Sequence, residues 1–200
     1  MSVSPDALLT WAERYPHLAL LFNPNGSAEQ HDQALERLID EAIRWLEDHA
    51  NNFKGACEDN LSTSLAGKIS MPGLRVVRER NVNGHVDLVI EIEHSYPHRR
   101  WLAEAKRWKG NGYHVKGMDQ LLNRYTTGRN RSAYVFDYVQ KPDIAGKWQG
   151  LRDHFDTTRP LGQEGGCSDH PALWAFETRH RHRSGQSVRV VHYGVNLGPD

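Results

Sequence analysis

The amino-acid sequence predicts an α/β fold with a central mixed β-sheet flanked by helices. A long amphipathic segment precedes three consecutive strand-like segments, and helical and extended patterns then alternate along the rest of the chain. Two hundred residues are enough for one domain with a sizeable core. We therefore expect a single domain over residues 1–200, with an N-terminal helical extension (1–26), a core (27–155), and a loop with a C-terminal β-hairpin (156–200).

Helix starts in the first quarter of the chain are predicted from capping residues. Ser4-Pro5 is typical of a helix start and predicts a short N-terminal helix. Ser27 and Gln30 form a capping box for a long helix that ends at about Asn52. Its apolar residues recur at helical spacing, at Leu35, Leu38, Ile39, Ala42, Ile43 and Leu46. This stripe is wide enough to pack on a sheet.

Three strands in succession are predicted after the long helix. The intervening residues 53–74 have apolar spacing for only one or two helical turns. Residues 74–80 are strand-like, and Asn83-Gly84 is typical of a hairpin turn into a second strand over residues 86–92. A short polar connection leads to the third strand, residues 101–106, which completes a meander.

The later elements follow from changes in periodicity. The sequence predicts the following elements in chain order: a helix at 113–125, a strand at 132–140, a helix at 143–155, a Gly-rich loop at 157–170, and strands at 172–181 and 187–197.

Composition and motifs exclude several classes of protein. There is no apolar run of about 18 residues, so we expect no membrane span. No secretory signal pattern is present, and Cys57 and Cys167 are expected to be unpaired thiols of a cytoplasmic protein. The absence of a Gly-rich phosphate loop and of a Gly-x-Ser-x-Gly motif argues against a motor or a serine hydrolase.

Ionisable residues occur on strands that are otherwise apolar. Asp87 lies in the second predicted strand, and Glu104 and Lys106 lie in the third on one face, because strand side chains alternate. Charges beside a core need partners. A salt bridge on a solvated face is one explanation, and a divalent cation is the other. Asp87, Glu104 and the Ala105 carbonyl would suit Mg²⁺ or Mn²⁺, which prefer oxygen ligands and activate water for phosphodiester hydrolysis.

This arrangement of Asp87, Glu104, Ala105 and Lys106 on consecutive strands after a long helix resembles the PD-(D/E)xK superfamily of nucleases. Val86 stands where the proline of the family motif would be. The resemblance implies a restriction-endonuclease-like core and a Mg²⁺- or Mn²⁺-dependent deoxyribonuclease active in restriction, defence against foreign DNA, or repair. Lys106 would act as the polarising base.

The same resemblance implies further site residues and partners. A glutamate on the first helix would be a metal ligand, and Glu36 is the candidate, with Glu79 and Glu91 as alternatives. A glutamine and a tyrosine would follow the lysine strand, which points to Gln120 as a catalytic residue and to Tyr125. Homodimerisation, or a helicase or ATPase partner, is also common among such nucleases.

The central segment of the chain is basic although the formal net charge is zero. Acidic residues predominate from 28 to 59, whereas bases predominate from 99 to 131. A basic segment next to an acidic triplet favours a DNA substrate, although segregated charge is also common on solvated surfaces. The candidate DNA-binding residues are Arg107, Lys109, Lys116, Arg124, Arg129 and Arg131.

Residues 179–183 alternate arginine and histidine along a predicted strand. His180 and His182 would face His192 on the partner strand, which allows a zinc site. A basic ribbon that contacts phosphates and a charged edge hairpin remain alternatives. Two other functions therefore stay open beside the nuclease: a catalytically inactive module of the same fold that binds DNA or a protein, and a small zinc protein.

Overall fold

A seven-stranded mixed sheet forms the centre of the protein, and helices flank it. The computed structural model describes residue 10 and residues 12–81 and 85–198. The α/β architecture with a mixed sheet is thereby confirmed. The predicted helix start at Ser4-Pro5 and the predicted turn at Asn83-Gly84 lie outside the described residues. None of the helices in the described part of the chain is both long and apolar enough to cross a membrane.

Three α-helices precede the first three strands in the described part of the chain, and a helix, a strand, a helix and three further strands follow. The α-helices are α1 (Pro16–Leu21), α2 (Ala28–Asp48), α3 (Glu58–Ile69), α4 (Asn111–Gln120) and α5 (Ile144–Thr158). The strands are β1 (Leu74–Asn81), β2 (His85–Ile92), β3 (Arg100–Arg107), β4 (Ser132–Val139), β5 (Ser168–Asp169), β6 (Ala175–Arg181) and β7 (Ser187–Asn196). A 3₁₀ turn, Ala50–Phe53, follows α2, and a π-helical turn, Leu121–Tyr125, continues α4.

Parallel pairing is confined to the centre of the sheet. The strand order is β1-β2-β3-β4-β7-β6-β5. Strand β4 is parallel to both β3 and β7, and the outer pairs are antiparallel. All eight residues of β4 are buried, as expected for a parallel strand with both faces covered.

Helix α2 forms as its capping residues and its row of apolar side chains predict. The Gln30 N–H donates to the Ser27 hydroxyl and the Ser27 N–H donates to the Gln30 side chain, which completes the capping box. The helix has 21 residues and ends at Asp48, slightly before the predicted end at Asn52. Its apolar stripe packs with α3 against one face of the sheet, while α4 and α5 cover the other face.

Helix α3 is longer than its sequence predicts. The expectation of one or two turns was wrong, since the helix has 12 residues. Leu61, Leu65 and Ile69 are fully buried, and their packing stabilises a segment with modest intrinsic propensity. Glu58 and Asp59 lie in the first turn, where negative charge favours a helix start. Helix α3 brings Glu58, which sequence analysis did not single out, to the end of β3.

The C-terminal part differs from its prediction in detail. Helix α5 extends to Thr158, and the segment predicted as a loop contains the short strand β5. Strand β6 begins at Ala175, three residues later than the predicted 172, and pairs antiparallel with β7. The predicted hairpin is therefore present as part of the larger sheet.

Candidate active site

Strands β2 and β3 part where the predicted acidic residues lie. Their pairing runs from Glu91–Arg100 to Leu88–Ala103 and stops there. The Asp87 carboxylate instead accepts a hydrogen bond from the Ala105 backbone N–H at 2.9 Å. Because the N–H and C=O of a strand residue point to the same neighbouring strand, the Ala105 carbonyl also faces Asp87. A side chain therefore replaces the backbone ladder at this point.

The Lys106 ammonium lies among three carboxylates. Its Nζ is 2.8 Å from Glu104 Oε1, 3.1 Å from Asp87 Oδ2 and 3.6 Å from Glu58 Oε1. The structure therefore brings together Asp87, Glu104 and Lys106, as the sequence pattern predicts. It adds Glu58, which sequence reasoning missed.

Exposure increases across this cluster. The Glu104 side chain is 1% exposed, whereas those of Asp87 and Glu58 are 27% and 31% exposed. The exposed end borders a small cleft, which is lined by Glu58, Asp59, Ser62, Arg78 and Asp87. Solvent and small solutes can therefore reach the cluster from the Asp87 side, while Glu104 forms its interior wall.

Glu58 reaches the cluster from the first turn of α3. Its Oε2 accepts a hydrogen bond from the Arg107 backbone N–H at 2.8 Å, which anchors the carboxylate at the end of β3. Its neighbour Asp59 pairs with Arg78 of β1 at 3.4 Å. The available sequence signal was an acidic residue in the first turn of a helix. Only one or two helical turns were predicted in this segment, so Glu58 was not recognised as part of a first turn.

Burial and neighbouring charges together raise the pKa values of Glu104, Lys106 and Tyr125 in this cluster. Burial, and then the negative charge of Asp87, raises the pKa of Glu104 to about 7, although Lys106 opposes this. Burial alone would lower the pKa of Lys106, but attraction by Glu104 and Asp87 raises it above its ordinary value. Lys106 is therefore an ammonium ion at neutral pH, whereas Glu104 can exchange a proton there. Burial, followed by the charges of Glu104 and Asp87, also raises the pKa of Tyr125.

Helix α4 packs tightly against the interior side of the cluster. A Cβ built on Gly117 would lie 3.3 Å from Glu104 Cγ and 3.4 Å from Lys106 Cγ. The distance to Glu104 is shorter than an ordinary van der Waals contact and that to Lys106 is at its lower limit, so an alanine here would press mainly on Glu104. A glycine at this helical position keeps Glu104 and Lys106 in place.

Several predicted site residues lie elsewhere. Both oxygens of Glu36 are bound by Arg189 of β7, and His170 approaches one of them at 3.4 Å. Burial would raise the pKa of Glu36, but these hydrogen bonds lower it. The prediction that Glu36 joins Asp87 and Glu104 as a metal ligand is therefore not supported by its position. Glu91 pairs with Arg75, and the Glu79 side chain lies outside the described residues.

Gln120 is half-buried at the end of α4, and its side chain makes no hydrogen bond within the part of the chain that is described. Its predicted catalytic role has no contact to support it. Tyr125, in contrast, is close enough to Glu104 and Asp87 to feel their charge.

The predicted DNA-binding residues separate into two groups. Arg107, Lys116 and Arg124 are exposed on β3, α4 and the π-helical turn, and Lys109 lies 4.7 Å from the centre of the Tyr113 ring. Arg129 and Arg131 lie before β4, at the opposite end of the sheet, and line a cleft with Arg100.

A chain of buried polar side chains lies behind the cluster, on the α4 side of the sheet. His114 of α4 bonds Asp137 of β4 through Nδ1, and its Nε2 lies 2.8 Å from His192 Nδ1. His192 Nε2 is 2.7 Å from the Thr178 hydroxyl, which is 2.7 Å from His180 Nε2. His180 Nδ1 lies 3.2 Å from the Leu161 carbonyl, which ends the chain.

The Leu161 carbonyl sets the direction of every hydrogen bond in this chain. A carbonyl only accepts, so His180 Nδ1 donates to it, and burial lowers the pKa of His180 to about 4, which keeps it neutral. His180 Nε2 then accepts from the Thr178 hydroxyl. The hydroxyl oxygen in turn accepts from His192 Nε2.

The remaining proton is shared at the other end. Burial lowers the pKa of His192 well below its ordinary value, so the neutral ring accepts at Nδ1 from His114 Nε2. His114 and Asp137 consequently hold one further proton between them, as imidazolium and carboxylate or as imidazole and carboxylic acid. Asp137 is paired in register with Lys106, so this end of the chain borders the acidic cluster.

The predicted zinc site is not formed by these histidines. The ring nitrogens of His180 and His192 are engaged within the chain of hydrogen bonds, and His182 Nδ1 bonds Ser184. Throughout the described ranges, no group of three or more His, Cys, Asp or Glu side chains is arranged to hold a metal ion. Around Lys106 the three carboxylates surround the ammonium instead.

We predict that ionised Glu104 lowers the stability of the fold. The pKa of Glu104 is about 7 in the folded protein, above the ordinary 4.5, so the folded state binds this proton more tightly than the unfolded chain does. The free energy of unfolding should therefore fall between pH 4.5 and about 7, by up to about 3 kcal/mol from this group. Urea unfolding across this range should show a smaller fall for Glu104→Gln. The exposed Glu13→Gln is the control, and an unchanged pH dependence in Glu104→Gln would contradict the prediction.

We predict that the Thr178 hydroxyl is required for the hydrogen bonds that link His192 to His180. Thr178→Val conserves the shape but leaves ring nitrogens of His180 and His192 without a partner, so it should destabilise the protein by about 2–3 kcal/mol. Thr178→Ser keeps the hydroxyl and should cost about 1 kcal/mol for the lost methyl group. Chemical denaturation measures both, and equal losses in the two variants would refute the hydrogen-bonded arrangement.

Comparison with known proteins gives no relative. No protein-family model, no curated protein and no solved structure matches the chain. A function can therefore be inferred only from the residues and geometry around Lys106.

Proposed function

We propose that this protein is a metal-dependent DNA endonuclease with a restriction-endonuclease-like core, acting in restriction, in defence against foreign DNA, or in DNA repair. The single observation that carries the proposal is the contact of the Lys106 ammonium with Asp87 and Glu104 where β2 and β3 part. Two carboxylates from adjacent strands, with an amine two residues after the second, form the constellation on which the sequence resemblance rests.

Charge balance supports a cation at this place. Glu58, Asp87 and Glu104 surround one ammonium, which leaves the cluster with excess negative charge when all three are ionised. Glu104 Oε2 is buried and has no hydrogen-bond partner among the described residues. A buried oxygen without a partner is unfavourable, and a hard cation would satisfy it.

The donor set fits Mg²⁺ or Mn²⁺. Asp87, Glu104 and the Ala105 carbonyl would hold the ion, since the backbone of Ala105 faces Asp87. Glu58 replaces Glu36 as the further candidate, because its carboxylate is already at the cluster. A bound ion supplies Lewis-acid polarisation of the phosphoryl group and an activated water.

The protein side chains have separate roles in the proposed reaction. Lys106 remains charged, so it stabilises negative charge that develops on the phosphoryl oxygens and orients water through its N–H groups. Its raised pKa makes it a poor proton acceptor in this arrangement, which argues against the predicted role of polarising base. Glu104 would serve with Asp87 as a carboxylate ligand of the ion.

Plasmid cleavage tests the proposal. With Mg²⁺ or Mn²⁺ the wild type should convert supercoiled plasmid to nicked or linear forms, and EDTA should abolish this conversion. Asp87→Asn and Glu104→Gln should each reduce the rate at least about 100-fold, because each removes a carboxylate that would hold the ion. Lys106→Met should reduce it as much, because it removes the positive charge at the reacting phosphate. Glu58→Gln should reduce it less, since Glu58 is the most distant carboxylate.

The matched control is Glu36→Gln, assayed at a temperature where it is folded. It should cleave like the wild type, because Glu36 pairs with Arg189 and not with Lys106. Equal cleavage by wild type, Asp87→Asn and Lys106→Met would overturn the site assignment. Absence of cleavage by all proteins under every metal condition would favour the inactive, binding-only alternative.

We predict that substituting Gly117 by alanine lowers the cleavage rate without a matching loss in the free energy of unfolding. Gly117→Ala adds a Cβ within 3.4 Å of Glu104 and Lys106, so it should displace them and reduce cleavage about tenfold or more. Alanine also favours the helix by up to about 1 kcal/mol, which offsets the strain in the free energy of unfolding. Gly150→Ala in α5 is the control, because its Cβ would meet no atom within 4 Å. It should be stabilised and fully active, and an active Gly117→Ala would show that the close packing is unimportant.

A further inference from the structure

A basic cleft crosses the end of the sheet opposite the acidic cluster. Two adjoining depressions share Ala28, Asp32, Arg131 and Ser132 and therefore form one continuous surface. The arginines that line it come from the approaches to β3 and β4 and from β6. They are Arg99, Arg100, Arg129, Arg131 and Arg179, together with Arg189 of β7, which is paired with Glu36 and Glu177.

Most of the positive charge of this cleft is not neutralised within the described part of the protein. Arg189 is paired with Glu36 and Glu177, but none of the other five arginines forms an ion pair with a carboxylate among the residues that the structure describes. Glu29 and Asp32 are the acidic residues of the cleft. Asp32 is committed to Trp101 and Ser132 through hydrogen bonds of 2.6 and 2.5 Å, and burial raises its pKa, which disfavours its charge. The amino end of α2 adds the positive end of a helix dipole.

The arginines are held in a row by the sheet. Arg100 begins β3, and its carbonyl accepts a hydrogen bond from Asn130, next to Arg131. The Arg131 carbonyl accepts from the Arg189 N–H of β7, and Arg189 pairs in register with Arg179 of β6. The row therefore crosses β3, β4, β7 and β6, which spans about 14 Å at the usual strand spacing.

We propose that this arginine row binds the phosphate backbone of duplex DNA at a surface separate from the acidic cluster. The rigid span of about 14 Å is close to the width of the major groove, about 12 Å, so the ends of the row can contact phosphates on both sides of it. Arg100 lies about 20 Å from Lys106 along β3. The arginine row would therefore contact the DNA about 20 Å from the phosphate that is cleaved. The inference rests on the proposed nuclease function only for the identity of the polyanion.

The test measures binding in EDTA, where no cleavage is expected. The full chain is titrated into a fluorescein-labelled 24-base-pair duplex, and anisotropy is followed at several salt concentrations. Arg100→Gln/Arg131→Gln should weaken binding about tenfold or more, and the slope of log K against log salt should decrease by about 2. Arg179→Gln changes a single exposed residue and should decrease the slope by about 1. It tests the same surface if the double variant does not fold.

The matched control is Arg37→Gln/Arg44→Gln, which removes two exposed arginines of α2 and the same net charge. It should change the affinity less than twofold, and a loss equal to that of Arg100→Gln/Arg131→Gln would overturn the proposal. Tighter binding to the single strand, or to phosphatidylserine vesicles, than to the duplex would also overturn it. Intact duplex binding by a wild type that never cleaves plasmid would remove the nuclease proposal and leave this one standing.

Discussion

The burial of Glu104 is the constraint on which the centre of this structure depends. A carboxylate that is 1% exposed on a central strand is tolerated only with a counter-charge, and Lys106 supplies it from the same face of β3. The ammonium attracts Asp87 and Glu58 in turn, which ties β2 and α3 to the end of β3. Helix α4 has to approach this group closely, and Gly117 makes the approach possible. One buried charge thus dictates the position of several elements.

The parts of the site that follow local periodicity could be predicted from the sequence. Alternation along a strand places Glu104 and Lys106 on one face without any knowledge of the tertiary structure. Glu58 could not be recognised in the same way, because α3 owes its length to buried contacts with the sheet. Glu36 pairs instead with Arg189, which is 153 residues away, and helical spacing does not reveal which side chain a buried acid meets.

The buried histidine chain shows the same limit more clearly. Alternation correctly places His180 and His182 on one buried face, yet the link to His192 passes through Thr178, and His114 is 78 residues from His192. Its sequence signal was Asp137, an acid in the middle of an apolar strand, which demands a buried partner. Because the hydrogen bonds run in one direction from the Leu161 carbonyl, the loss of one member leaves its neighbours without a donor or an acceptor.

Strand β3 connects two ends of opposite charge. Its first residue, Arg100, lies in the basic cleft, and near its other end Lys106 contacts Asp87 and the Arg107 N–H donates to Glu58. A polyanion would be repelled by three carboxylates that share one ammonium, so neither attraction nor orientation of DNA can come from the acidic cluster itself. In the proposed enzyme, attraction would come from cations elsewhere on the surface, and the arginines at the opposite end of the sheet are suited to this role. The proposed enzyme has its arginine row and its acidic cluster at opposite ends of the sheet. It would therefore bind DNA without a metal ion and would need the ion only for hydrolysis.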